Sequence, residues 1–227
     1  MSSIKHLAII PDGNGRWALA HGYARTDGHR EGAKRIIPLL TKVCEHNIPY
    51  LTFYALSTEN FGREPTEIHA LQEIMHLCLT KSILPFAKAN SIKIKFIGKR
   101  DRLIKPLIDA MDQAEEQTKS ASMVVVFAID YGSREEIAQA CKAYVAQNSN
   151  CDISYNDLEK KLYTVGIPDP DIVLRYGGHK RLSNFMLLQS AYSELIFVEK
   201  FWPDFSGQDI EEIVSNYSKI KRNYGKL

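Results

Sequence analysis

The stretch from Ile4 to Trp17 constrains this chain more than any other. Its apolar run, residues 7–10, reads as a buried strand, and it stops at Pro11 to open into Asp12-Gly13-Asn14-Gly15-Arg16. A strand that ends in a glycine-spaced turn sets backbone N–H groups at the carboxyl edge of a sheet, where α/β proteins hold their ligands. Gly13 and Gly15 permit positive φ and the close approach of a bulky anion. Asp12 and Arg16 add a carboxylate and a fixed cation, the pair that holds a phosphate together with its magnesium. The spacing is neither the dinucleotide fingerprint nor a phosphate loop closing on Lys-Ser/Thr. Taken alone, a Gly-Asn-Gly turn between strand and helix is as often plain structure.

The same pattern comes twice more. Residues 50–56, nearly all apolar, run into Ser57-Thr58-Glu59-Asn60-Phe61-Gly62-Arg63, and residues 172–175 run into Tyr176-Gly177-Gly178-His179-Lys180-Arg181-Leu182-Ser183-Asn184. Further strands are expected at 92–97, half exposed and near a sheet edge, at 123–129 and at 194–198. Helices are expected over 31–45, 65–89 (bent at Pro85), 103–118, 133–147, 155–163 and 208–222, with Ser133 and Glu136 forming a capping box for the fourth. Residues 148–152 form a polar break. Strands alternating with helices predict βαβ units, right-handed crossovers and a parallel sheet. All three polar loops then fall on one edge.

That edge collects Arg16, Arg63, Arg175 and Arg181, with Arg25 and His29 nearby, in a chain whose net charge is only +2. The planar fork of arginine binds two phosphate oxygens at once, so the group points to a ligand with several such oxygens. Any one of these arginines alone is more readily a solvated loop residue or a structural ion pair; it is the group that points to a ligand. His29 suits a proton relay, a phosphate donor or a surface position at a helix start. Asp12 and Glu194 are the carboxylates that stand out, Glu194 also fitting an ordinary strand surface. Trp17, Phe61 and Trp202 read as core or interface anchors. The near-neutral charge and the lack of a Lys/Arg block exclude a general nucleic-acid surface. Scattered histidines without a paired spacing argue against zinc, and no G-x-S-x-G elbow supports a serine hydrolase.

The 227 residues suffice for one well-filled domain. Cys44, Cys78, Cys141 and Cys151 lie far apart, as reduced thiols of a cytoplasmic protein would. With no signal-peptide core and no apolar stretch of spanning length, a soluble protein is expected.

Several motifs point further. His6-Leu-Ala-Ile-Ile-Pro-Asp-Gly-Asn-Gly-Arg-Trp17, Ala55-Leu-Ser-Thr-Glu-Asn60, Leu174-Arg-Tyr-Gly-Gly-His-Lys-Arg-Leu-Ser-Asn-Phe185, Gln189-Ser-Ala-Tyr-Ser-Glu-Leu-Ile-Phe197 and Trp202-Pro-Asp-Phe205 follow one another in the order found in the cis-prenyltransferases. The chain resembles that family, in its undecaprenyl diphosphate synthase-like form, over nearly its whole length. The resemblance implies a single α/β domain over residues 1–227, with a central, mainly parallel six-stranded sheet flanked by helices and paired as a homodimer. It implies Mg²⁺-dependent extension of an allylic diphosphate by isopentenyl diphosphate with cis double bonds, and leaves open a peripheral membrane contact through a lipid product.

By motif position, Asp12 would help bind Mg²⁺ and assist departure of the allylic diphosphate. Gly13, Asn14, Gly15, Arg16, Arg25 and Arg63 would hold that diphosphate, with His29 beside it. Arg175, Arg181 and Ser183 would hold isopentenyl diphosphate. Asn60, with Ser57 and Glu59, would position the reacting ends, and Glu194 would complete the metal or phosphate site, partly across a dimer interface. Trp17 and Phe61 fall among the substrate-contacting positions. An apolar tunnel is expected between the 65–89 helix, through Ile68, Leu71, Met75, Cys78 and Leu79, and the strand carrying Phe53 and Ala55. The aspartate-rich motif of all-helical trans-prenyl synthases is absent.

Pro11 stands where the family has methionine, Phe61 where it has tryptophan, Tyr176 where Thr or Ser is common, His179 where Glu is frequent, and Leu188 where Trp is common. Tyr176 and His179 bear on the second substrate. Ala55, small and in the tunnel strand, points to a longer product. Two alternatives stand beside a linear polyprenyl product: a short-chain or irregular (head-to-middle, branched or cyclising) synthase of the same fold, and a non-catalytic accessory subunit.

Overall fold

The computed structural model describes residues 3–121, 123–148 and 152–220. The strands β1 (His6–Ile10), β2 (Tyr50–Ser57), β3 (Ile92–Ile97), β4 (Met123–Tyr131), β5 (Ile172–Arg175) and β6 (Glu194–Phe197) form one sheet in the order β3-β4-β2-β1-β5-β6. Every pairing is parallel, so the sheet is wholly rather than mainly parallel. β3 does lie at an edge, alternating buried apolar residues with half-exposed Lys93 and Lys95.

The helices are α1 (Asn14–Ala20), α2 (Arg25–Ala33), α3 (Ile36–Glu45), α4 (Pro65–Cys78), α5 (Leu84–Ala89), α6 (Lys105–Gln117), α7 (Ser133–Val145), α8 (Tyr155–Glu159) and α9 (Gly207–Tyr217). One sheet face buries Leu7, Ile9, Leu51, Phe53 and Phe127 under apolar stripes from α3, α4, α6 and α9. The other buries Ala8, Tyr54, Val126 and Val173 under Phe185 and Met186. Strands covered on both faces carry the continuous apolar runs seen in the sequence. No helix of the described residues is long and apolar enough to cross a membrane.

Three local expectations are corrected. The helix expected over 31–45 is two helices, α2 and α3, and α1 precedes them. Gly28 and Gly32 lower helix propensity in α2, but Gly28 is where α1 crosses: a Cβ there would stand 2.0 Å from the Asn14 carbonyl oxygen. The long helix does not bend at Pro85 itself. It widens into a π turn at Leu79–Ile83, directly before α5. Proline's ring clashes with the carbonyl four residues back, and an i→i+5 turn relieves that clash.

The third correction is the capping box. Gly132 caps α7 without a side-chain bond. Ser133 Oγ instead accepts the Leu187 N–H at 3.1 Å. The Glu136 carboxylate, 1% exposed, accepts from Tyr131 Oη at 2.6 Å, Gln189 Nε2 at 3.1 Å and the Tyr163 N–H at 2.9 Å. A local capping motif is thus spent on pinning the 163–189 segment to the sheet. The last helix, expected to 222, ends as α9 at Tyr217. Residues 221–222, residues 149–151 of the polar break and Cys151 lie outside the described residues.

His6 sets a pH dependence. Fully buried in β1, its ring lies with Nδ1 2.6 Å from the Pro168 carbonyl and Nε2 2.8 Å from Thr52 Oγ1. Burial pushes its pKa from 6.5 to about 4, against the opposing Pro168 hydrogen bond and the Asp171 charge. The unfolded chain takes up this proton first as pH falls, so the contribution is full above 6.5 and lost between 6.5 and about 4. It amounts to about 3 kcal/mol. Denaturant unfolding at pH 7 and pH 4.5 should show the wild-type loss, and His6→Gln should flatten that slope.

Candidate active site

Because all strands run the same way, β1, β2 and β5 deliver their loops to one edge. β1 hands over through Pro11 and Asp12 to Gly13, whose φ of +104° is left-handed and whose Cα faces the Phe201 ring so closely that a Cβ would sit 2.5 Å from it. β2 carries a bulge: Tyr54 pairs with Ala128 and Leu56 with Ile129, leaving Ala55 as the extra residue. Such a bulge re-aims the side chains that follow. Ser57 and Asn60 then close a 3-10 turn reciprocally, the Ser57 N–H bonding Asn60 Oδ1 at 3.1 Å and the Asn60 N–H bonding Ser57 Oγ at 3.2 Å.

β5 ends at Arg175, which is 4% exposed and organises the edge. Its Nη2 donates to Asp12 Oδ2 at 2.7 Å. Its Nη1 donates to the Arg181 carbonyl at 2.5 Å and to Ser183 Oγ at 2.7 Å. Arg16 pairs with the other Asp12 oxygen at 3.2 Å and donates to the Gly177 carbonyl at 2.9 Å. Burial alone would raise the Asp12 pKa, but the Arg175 hydrogen bond and the charges of Arg175 and Arg16 outweigh it and hold the carboxyl below its ordinary 3.8. Ser183, Asn184 and Met186 all adopt positive φ, a cluster of strained positions of the sort found at ligand clamps.

A second group faces the first. Glu67, in the first turn of α4, takes Arg63 Nη1 at 3.0 Å and lies 3.9 Å from Arg25 Nε and 4.0 Å from His29 Nε2. His29 is lowered to about 4 by burial and by the Arg63 and Arg25 charges, against Glu67. It therefore sits neutral among cations at pH 7. Glu67 was not among the sequence candidates; the signal was its i, i+4 spacing from Arg63.

These loops ring the mouth of one cavity of about 380 Å³. Asp12, Gly13, Asn14, Gly15, Arg16, Arg25, His29, Ser57, Asn60, Arg63, Arg175, Arg181 and Ser183 all line it. Its interior is apolar, walled by Leu71, Met75, Cys78 and Leu79 of the α4 side against Phe53 and Ala55 of β2; Ile68 does not reach it.

Four candidates stand apart. Trp17 donates to Asp204 Oδ1 at 2.7 Å and stacks on His21. Glu59 accepts from Asn184 Nδ2 at 2.8 Å. Phe61 lies under the Arg102 guanidinium, 4.0 Å from ring centroid to Cζ. Glu194 begins β6 opposite Ile172, whereas Arg175 pairs with Phe197 at the site end. Three residues of strand, about 10 Å, separate Glu194 from that end, so within one chain it is not brought to Asp12. Among the described residues no group of three His, Cys, Asp or Glu is placed to hold a metal. Tyr176 turns inward: its ring packs against Trp202 and its hydroxyl donates to Asp209 Oδ2 at 2.9 Å. Its bulk fills core rather than loop.

The undecaprenyl diphosphate synthase family model, a prenyltransferase model, matches residues 10–225. The chain belongs to that family. It is 43% identical to an isoprenyl transferase of Rickettsia typhi over the full length of both chains. It is 37% identical to an isoprenyl transferase of Staphylococcus haemolyticus, covering 98% of this chain and 89% of that one. Among solved structures, lavandulyl diphosphate synthase from Lavandula x intermedia, in complex with dimethylallyl diphosphate, superposes with a TM-score of 0.95 at 30% identity, covering 99% of each chain. A probable undecaprenyl diphosphate synthase from Campylobacter jejuni gives 0.84 at 31% identity, covering all of both chains. The chain is thus a cis-prenyltransferase, and in this prenyltransferase the arginine-ringed mouth and the apolar cavity behind it form one continuous space.

Proposed function

We propose that this prenyltransferase, one domain over residues 1–227, joins an allylic diphosphate to isopentenyl diphosphate with Mg²⁺, acting as a cytoplasmic homodimer. The observation that carries this reading is the mouth itself: Arg16, Arg25, Arg63, Arg175 and Arg181 line, together with the ionised Asp12, one pocket whose interior is apolar. Such a site holds a diphosphate head outside and a hydrocarbon tail within.

Gly13, Asn14, Gly15, Arg16, Arg25 and Arg63 hold the allylic diphosphate, and neutral His29 donates a hydrogen bond to it. Arg175, Arg181 and Ser183 hold the second diphosphate, while Ser57 and Asn60 orient the reacting ends. Leaving-group charge grows as the C–O bond breaks, so preorganised cations stabilise the transition state more than the ground state. Asp12 suits magnesium: it is a hard oxygen donor, ionised at neutral pH, and Mg²⁺ needs only one or two carboxylates beside phosphate oxygens and water. The ion, when bound, neutralises diphosphate charge. A homodimer is supported by β6, an edge strand with Leu195 exposed beside Glu194; a second chain on that edge would bring Glu194 to a site between the two.

The intact Asp12, Arg181 and Ser183 disfavour an accessory subunit. A short-chain or irregular synthase of the same fold is the second reading, favoured by the TM-score of 0.95 on lavandulyl diphosphate synthase against 0.84 on the Campylobacter jejuni protein, at 30% and 31% identity. The test supplies labelled isopentenyl diphosphate with dimethylallyl, geranyl or farnesyl diphosphate, with Mg²⁺ or with EDTA, and sizes products by mass spectrometry. Mg²⁺-dependent incorporation is expected. A product from dimethylallyl diphosphate alone favours irregular coupling instead, and no product from any pairing overturns the catalytic reading.

A further inference from the structure

Three phenylalanines stand abreast on three neighbouring strands. Phe127 of β4 is the register partner of both Phe53 on β2 and Phe96 on β3. Its ring centroid lies 6.0 Å from that of Phe53 and 5.9 Å from that of Phe96. Trp202 extends the row, 5.4 Å beyond Phe53. Each of the three phenylalanines lines the cavity, whereas the next residues on the same sheet face, Leu51, Val125 and Ile94, are sealed off behind them at 1% exposure each. Buried Leu107 and Ile83 close the same end from the helix side. The cavity therefore stops on an aromatic row that crosses the sheet from β3 to β2.

We infer that the row Phe96–Phe127–Phe53 is the floor against which the growing tail ends, so that this chain makes short prenyl diphosphates of two or three isoprene units. The inference rests on the reading of the cavity as the tail site. Phe53 lies four residues below Ser57 at the mouth, a depth of at most about 13 Å. The four main-chain bonds of an isoprene unit span about 5 Å at ordinary bond geometry. Two or three units reach the rings. Phe127 is held in the row by a ring on each side, 6.0 Å from Phe53 and 5.9 Å from Phe96. Ala55, which by itself points to a longer product, lines the wall at the bulge, two residues above Phe53 and so above the floor.

The experiment compares the wild type with Phe127→Leu, Phe127→Ala and Phe96→Leu, using dimethylallyl, geranyl or farnesyl diphosphate and labelled isopentenyl diphosphate, and reads both label incorporated and product length. Wild-type product ending at two or three units, with each folded variant extending it by at least one unit, is the expected result. Phe96→Leu lies on an edge strand and keeps the test alive if Phe127→Ala does not fold. Wild-type products of four or more units, or unchanged lengths in variants whose circular dichroism matches the wild type, overturn the floor while leaving the condensing activity standing. No incorporation by the wild type from dimethylallyl, geranyl or farnesyl diphosphate overturns the activity itself, and the floor with it.

Discussion

Asp12→Ala lowers turnover by about 10²–10³-fold, the usual cost of removing one preorganised charge-stabilising group, while the protein stays folded. The expectation follows from where the charge sits. The carboxylate lies between Arg175 and Arg16 at the cavity mouth and is 29% exposed. Its loss takes away the carboxylate partner of the buried Arg175 guanidinium, which stays bonded to the Arg181 carbonyl and Ser183 Oγ. The expected stability loss is about 1–3 kcal/mol, the cost of leaving a buried polar partner under-satisfied. The pair's own contribution is present above the ordinary carboxylate value of 3.8 and is lost only as pH falls through and below it, because the folded pKa is depressed. Asp12→Asn keeps the shape and removes the charge, so it should match Asp12→Ala in kcat. Near-wild-type turnover of either variant, measured beside its denaturation midpoint, would sink the assigned role.

Arg175→Ala has the other large effect, and it falls on both stability and activity. This guanidinium is buried and satisfies three acceptors at once: Asp12, the Arg181 carbonyl and Ser183 Oγ. Its removal leaves those acceptors under-satisfied, at a cost of about 1–3 kcal/mol, and frees the 176–184 loop from the end of β5. The loss in kcat/KM for isopentenyl diphosphate should reach roughly 10³-fold. Arg175→Lys restores a charge without the planar fork and should recover only part of it. The decisive measurement is KM for each substrate. A loss confined to the allylic diphosphate would place Arg175 in the wrong subsite.

Much of this was legible in the residues. Unbroken apolar runs such as 50–56 identify strands covered on both faces, and their breaks into Asp12–Arg16, Ser57–Arg63 and Tyr176–Asn184 mark the ligand edge. What failed, failed where distant contacts decide. Ser133 and Glu136 have the spacing of a capping box, yet their partners are Leu187, Gln189 and Tyr163. Glu194 is a different case: it is expected at the site partly across a dimer interface, and the register within one chain sets it three residues from the Arg175 end of the sheet. Phe61, taken as substrate-facing, instead carries Arg102, which in turn holds the fully buried carboxylate of Asp130.

The sequence by itself determined that apolar strands would alternate with helices, that three polar loops would share one edge, and that arginines would gather there, because periodicity and strand direction are local properties of the chain. Tertiary structure alone decided the depth of the cavity behind that edge, the neutrality of His29 and the gathering of Arg25, Arg63 and His29 on Glu67. Each depends on register, burial or the approach of a second element. Phe53, Phe96 and Phe127 lie far apart in the chain, and only the pairing of three strands puts their rings abreast.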